Sequence, residues 1–347
     1  MAHKGPSLSV VVIGRNEGQR LVRCLESVEL MRPVPGGMEL IYVDSASSDG
    51  SPERAMKHKA KVLSLQSTHP CAAAGRNAGW RAAKAPIVMF LDGDTVLDRN
   101  FVADSIGEFD DPRVAVVFGH RRELDPGGSL FNRVTDLDWI TAPGPAEFCG
   151  GDALIRREIL ESVGGYDERL IAGEEPELCR RIRAAGHLIL HVDRPMSLHD
   201  LAMTHFSQYW RRGLRSGYAY AEVSRRFRDT QLPLWSRESR RNLLQGGVML
   251  AIVLGAPIVA IATRSLIPVV ALIAGIVGLA TRTARRFRWK ADSLTTRLLY
   301  GLHSHLGHIP ILFGQLKYHR DRYRGKRAEL IEYQMRPPAR KPPIHQT

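Results

Sequence analysis

The stretch FLDGDTV, residues 90–96, ends an apolar run on two carboxylates, Asp92 and Asp94, with one glycine between them. Side chains two apart on an extended chain point the same way, so a strand end presents both acids together despite their repulsion. Hard oxygen ligands so placed suit magnesium or manganese, ions that keep some waters and bridge to nucleotide phosphates. A solvated turn also uses Asp and Gly, so the tripeptide alone leaves both readings open. Other polar groups stand in comparable places: Arg15, Asn16 and Glu17 follow the first apolar run, and Asp44 to Asp49 follow the second. His303, His305 and His308 share a later apolar stretch, and their spacing fits either a metal site or the polar face of an interfacial helix.

These groups need elements to hold them. Apolar runs at 8–13, 39–43, 61–65, 86–91 and 114–118 read as buried strands, and 18–29, 51–59, 71–84 and 98–108 read as helices. The alternation predicts an α/β fold with a largely parallel sheet covered on both faces. Such sheets bind ligands at the carboxyl ends of their strands, so the three polar strand ends are expected along one edge.

A net charge of +13 over 347 residues points to an anionic partner. No RNA- or DNA-binding module motif occurs, and the basic residues adjoin apolar segments, so anionic lipid or nucleotide phosphate is expected rather than nucleic acid. Cys24, Cys71, Cys149 and Cys179 show neither paired metal-type spacing nor a disulfide framework, which fits reduced, structural thiols. The short apolar run near the N-terminus gives no expectation of an export signal.

Beyond residue 205 the composition changes. The stretch HFSQYWRRGLRSGYAYAEVSRRFRD carries six arginines at near-helical spacing. Residues 246–263 and 265–280 then carry no charge, with Arg264 alone between them. Each is near the lower limit of about 17 apolar residues for a membrane crossing. Two short spans or a re-entrant hairpin both fit, whereas Pro257 and Pro268 argue against a single long buried helix. Arg237, Arg240 and Arg241 before the pair, and Arg282, Arg285, Arg286, Arg288 and Lys290 after it, put both ends in the cytoplasm at the cell inner membrane. The expected divisions are 1–205, 206–243 (basic amphipathic), 244–282 (hydrophobic hairpin) and 283–347 (basic amphipathic), with an extended proline-rich tail, MRPPARKPPIHQT.

Five segments in order, SVVVIGRNE, IYVDSASSDGS, AAGRNAGWRAAKAPIVMFLDGD, FCGGDALIRREILESVGGYDE and AGEEPELCRRIRAAG, resemble family-2 glycosyltransferases of the bacterial membrane-associated type, over roughly residues 7–215. The resemblance implies a Rossmann-like, mixed, mostly parallel sheet (the type-A glycosyltransferase fold), followed by membrane-associated helices. It implies an inverting, metal-dependent enzyme that moves sugar from a UDP- or GDP-linked donor to a lipid-linked or glycan acceptor, with Mg2+ or Mn2+. A polyprenyl-phosphate sugar synthase is the alternative.

Residue by residue, the resemblance implies that Asn16 and Glu17 contact the nucleoside and that Asp44 accepts from the base. Arg76 would pair with phosphate and Asn77 with the nucleotide sugar, although an ordinary helix surface also fits these two. Asp92 and Asp94 stand in the DxD motif, with His199 as a further metal ligand and Asp200 and His205 as competitors for that place. Gly150 and Gly151 would give room in the sugar pocket, and Asp152 would accept from a hydroxyl. Glu175 is the expected base, ahead of Glu174. With Pro176 as the first helical residue, Glu175 would cap the helix at the positive end of its dipole. QYWRRGLRSG resembles the family's QxxRW-like element and implies Gln208, Trp210, Arg211 and Arg212 near pyrophosphate or acceptor. Departures from the family pattern are Arg15, Ser45, the longer Glu175, and the permuted Arg and Trp.

Overall fold

The computed structural model describes residues 5–65 and 71–326, so the expected extended tail lies outside the described residues. Near-continuous apolar runs suit strands covered on both faces. They form β1 (Leu8–Gly14), β2 (Met38–Asp44), β3 (Lys61–Ser64) and β4 (Ile87–Asp92), parallel in the order β3-β2-β1-β4. The register sets Gly14 beside Asp44 and Ile13 beside Asp92, so the three polar strand ends do leave the sheet on one edge. Their connections are α1 (Gln19–Glu29), α2 (Ser51–Lys57) and α3 (Ala72–Ala82), close to the expected spans.

The rest of the sheet is mixed. It uses β5 (Thr95–Leu97), β6 (Val114–Glu123), β7 (Gly144–Pro145), β8 (Ala153–Arg156) and β9 (Leu188–His199), and continues from β4 as β8-β6-β9-β5 with β7 also on β9. β8 runs antiparallel to both neighbours, and β6 runs parallel to β9. Between them lie α4 (Phe101–Ser105), α5 (Leu130–Asp138), α6 (Arg157–Val163) and α7 (Glu174–Ala184). The helix expected over 98–108 is instead the short α4 followed by a 3-10 turn, Ile106–Asp110. β5 and β8 are too short to display alternation. β6 runs past residue 118 through His120, Arg121 and Arg122 because β9 pairs with that extension.

The remaining helices are α8 (Phe206–Phe227), α9 (Ser236–Thr263), α10 (Ile267–Arg286), α11 (Leu294–Leu306) and α12 (His308–Tyr323). Pro257 stays inside α9, and the chain turns instead at Arg264, which adopts φ 48°. α9 and α10 are long and apolar enough to cross a membrane, and only 11% and 17% of their apolar windows are buried. The stretch 294–316 is two helices that pack on α8 and α10, not one interfacial helix. Two of its histidines go to separate partners: His303 bonds Tyr209 and Asp138 at 2.7 and 3.1 Å, and His305 bonds Thr283 at 3.0 Å.

Candidate active site

Asp92 ends β4, and the chain turns through Gly93 and Asp94 straight into β5. β5 pairs with the end of β9, Thr95 opposite His199, so a residue 104 positions later delivers its imidazole to the two acids. His199 Nε2 stands 3.4 Å from Asp94 Oδ1, and the donor atoms of Asp92, Asp94 and His199 lie within 4.8 Å of one another. His199 Nδ1 is buried without a hydrogen-bond partner among the described residues. The two carboxylates are donors that suit manganese or magnesium, and the imidazole adds a nitrogen donor of the kind softer divalent ions take. The competitors are engaged elsewhere: Asp200 pairs with Arg23, and His205 caps α8 together with Gln208. A side chain at Gly93 would be crowded, since a Cβ there would stand 3.0 Å from Glu17 and 3.1 Å from the Ile13 carbonyl.

Arg76, buried on α3, joins two walls of the cleft. Its Nη2 donates to Asp92 at 2.7 Å and its Nη1 to Glu174 at 2.9 Å. Burial works against charge on Asp92, but Arg76, Arg121 and His199 outweigh it and hold the carboxyl below its usual range. Glu17 goes the other way: burial, reinforced by the charge of Asp94 against the opposing pull of Arg20, pushes its pKa up to about 8.

Several expected site residues serve the scaffold instead. Asn77 is buried, and its amide nitrogen donates to the Tyr166 carbonyl and Glu168 at 2.9 and 2.7 Å, behind the cleft. Asp152 is fully buried, where one oxygen accepts from the Asp92 backbone N–H at 3.1 Å and the other from Ser197 at 2.9 Å. It positions the end of β4 and does not reach a pocket hydroxyl. Asp44 accepts from Tyr42 and from the Ser47 N–H at 3.0 and 2.9 Å, so Ser45, not Asp44, lines the cleft. Arg76 is committed to two carboxylates before any phosphate arrives. Arg211 is exposed and off the cleft wall, Trp210 packs on Phe206 and Phe313, and Arg212 alone of that group lines the cleft.

α7 begins two residues earlier relative to Pro176 than expected. Gly173, at φ 87°, is the N-cap, so Pro176 is the third helical residue and Glu175 lies inside the first turn. Consecutive helical residues point about 100° apart, which sends the two acids to different partners. Glu174 takes Arg76. Glu175 Oε1 accepts from the Cys149 N–H at 2.8 Å, from the Cys179 thiol at 2.9 Å and from the Cys149 thiol at 3.4 Å.

Asn16, Glu17, Asp92, Asp94, His199, Glu174 and Glu175 thus border one cleft of about 590 Å³. Gly151 forms part of its wall, where a Cβ would meet the Arg76 guanidinium at 2.6 Å and Asp92 at 2.8 Å. Sequence reasoning missed Arg121, Trp139, Arg215, Tyr220 and Trp235, which also line it. Arg215 was findable, three residues after Arg212 on one helical face. Arg121 gives no local signal, because the apolar run of β6 ends at Phe118.

Comparison with known proteins bears on the family and the fold. A model of the family described as glycosyl transferase family 2 matches residues 9–164. The pre-mycofactocin glycosyltransferase of Mycobacterium tuberculosis is 26% identical over 268 residues, covering 72% of this chain and 53% of that protein. The chain therefore spans about half the length of that relative. Glycosyltransferase AglE of Haloferax volcanii is 22% identical over 205 residues, 56% of this chain and 67% of that one. Among solved structures, a mannosyltransferase from Pyrobaculum calidifontis, in complex with GDP-Man and Mn2+, superposes with a TM-score of 0.66 at 18% identity, over 91% of this chain and 88% of its own. With motif order, sheet topology and family match in agreement, residues 9–164 belong to glycosyl transferase family 2 and have the type-A fold.

Proposed function

We propose that the chain is an inverting, metal-dependent glycosyltransferase that moves sugar from a UDP- or GDP-linked donor to a lipid-linked or surface-glycan hydroxyl at the cytoplasmic face of the inner membrane. One observation carries the reading: a single cleft is bordered by the Asp92, Asp94 and His199 donor set and by the Glu174–Glu175 pair, joined through Arg76. Asp92, Asp94 and His199 would hold Mg2+ or Mn2+, which supplies positive charge against the donor diphosphate. The type-A neighbour with GDP-Man and Mn2+ supports that donor and ion class.

Glu175 acts as the base. Its three hydrogen bonds all fall on Oε1, which leaves Oε2 to take the acceptor proton as the hydroxyl attacks the anomeric carbon. Glu174 is engaged by Arg76, which supports Glu175 over its neighbour. Asn16, Glu17 and Ser45 border the nucleoside end, and Arg212 and Arg215 offer charge to phosphate. The apolar α9–α10 pair anchors the enzyme, with division into 1–205, 206–243, 244–282 and 283–347. The alternative acceptor, a polyprenyl phosphate, is favoured by one feature: α8 presents Arg212 and Arg215 to the cleft and packs against α9.

The test is donor turnover by the full chain in detergent, over a panel of UDP- and GDP-sugars with Mn2+, Mg2+ or chelator. Ion-dependent turnover of one donor is expected. Turnover that survives chelation removes the metal role, and no turnover of any donor overturns the reading. Polyprenyl phosphate and a lipid-linked glycan, offered as acceptors, separate the two alternatives.

A further inference from the structure

A second cluster of ligand atoms lies beside the first. Cys149 closes the loop before Gly150 and Gly151, and Cys179 follows Glu175 by one helical turn on α7. The two Sγ atoms are 3.6 Å apart, and Glu175 Oε1 is 2.9 and 3.4 Å from them. A tetrahedral ion with Zn–S bonds of about 2.3 Å holds its two sulfurs about 3.8 Å apart, within a few tenths of an ångström of the spacing found. A disulfide needs sulfurs at about 2.05 Å, so it demands that the loop and α7 approach each other, whereas a cation does not. Both thiols are buried, and burial pushes the Cys179 thiol well up, so without an ion it remains a hydrogen-bond donor.

We propose that Cys149, Cys179 and Glu175 form a site for a thiophilic divalent cation of the zinc class, separate from the Asp92, Asp94 and His199 set, and that its occupancy withdraws Glu175 from catalysis. Sulfur ligands select zinc over magnesium or manganese, which prefer oxygen. Binding exchanges the two thiol protons for the ion and releases them to solvent, while the carboxylate turns from proton acceptor to ligand. Glu175 lines the cleft, so a water from the cleft fills the fourth position. The inhibitory consequence rests on Glu175 being the base, but the binding itself does not.

The experiment uses the full chain in detergent, reduced and stripped of metal, titrated with Co2+ in excess Mg2+. One equivalent is expected to give a thiolate-to-cobalt charge-transfer band in the near ultraviolet, which Zn2+ removes. Cys179→Ser weakens binding by more than roughly tenfold and loses the band, whereas Asp94→Asn keeps it. In parallel, Zn2+ lowers donor turnover of the wild type roughly tenfold or more, and the ratio of turnover with and without Zn2+ returns toward one in Cys179→Ser. A reduced wild type without the band overturns the site whatever the variants do, and so does a band that survives the Cys149→Ser, Cys179→Ser double variant. A band without inhibition overturns the regulatory role and the assignment of Glu175 as base together, leaving the donor-side reading intact.

Discussion

The α/β half and the helical half of the molecule differ in how much of their apolar surface is covered. In the sheet domain Tyr42, Phe90, Phe101 and Leu154 are fully buried, and each such side chain stabilises by about 1.5–3 kcal/mol. In the helical half glycines stand where α8 and α12 approach most closely. A Cβ on Gly217 would collide with the Ile311 carbonyl, and one on Gly314 with the Leu214 carbonyl, where α8 and α12 cross. Meanwhile Leu254, Ile258, Ile261, Val270 and Ile273 of α9 and α10 face outward. Small residues let backbones approach where no hydrophobic drive between helices exists, as in lipid. The outward apolar faces of α9 and α10 set the helical half apart from the sheet domain, and the cleft lies on the side of the sheet domain that α8 covers.

If chemistry belongs to the first half and attachment to the second, the two should fail separately. The largest effect is expected for Glu175→Gln: turnover falls roughly 1000-fold while donor binding and membrane sedimentation stay as in the wild type. Retained turnover would move the base elsewhere. Next, Asp92→Asn with Asp94→Asn weakens Mn2+-dependent donor binding roughly 100-fold, read by equilibrium dialysis, with the thermal melt of the helical half unchanged.

Gly217→Ala then probes the other half. It should cost on the order of 2–3 kcal/mol in melts in detergent, whereas Gly255→Ala, with nothing within 4 Å of its Cβ, should be neutral or stabilising. Equal effects would break the contrast. The smallest effect belongs to Glu123 at the end of β6, whose burial pushes its pKa from 4.5 to about 7, against the Asp125 and Leu201 N–H groups that pull it down. The unfolded chain gives up this proton first, so stability falls as pH rises from 4.5 through about 7. After allowing for screening, the loss is on the order of 1 kcal/mol, and Glu123→Gln should flatten it in melts between about pH 5 and about pH 8. A pH response confined to the helical half would contradict this assignment.

Much of the donor side was legible because it is local. FLDGD announces a strand end with two acids, and the apolar runs before Asn16 and Asp44 announce parallel strands whose ends must meet. His199 was readable only through resemblance, since its strand, β9, alternates with polar residues and contains Pro195. Asp44, Asn77 and Asp152 stand in motifs beside the cleft, yet each turns inward to a scaffold partner. Pro176 suggested a helix start that the positive φ available to Gly173 moved two residues earlier.

The amino-acid sequence by itself determined the alternation of strands and helices, the edge on which polar residues gather, and the two apolar helices, because hydrophobic periodicity acts over neighbouring residues. Tertiary structure alone decided which of those polar groups face the cleft and which are consumed in holding it. Arg76 meets Glu174 across 98 residues of chain, and His199 meets Asp94 only because β5 pairs with β9. A buried charge needs a partner within a few ångströms, and distance along the chain does not say which one it finds.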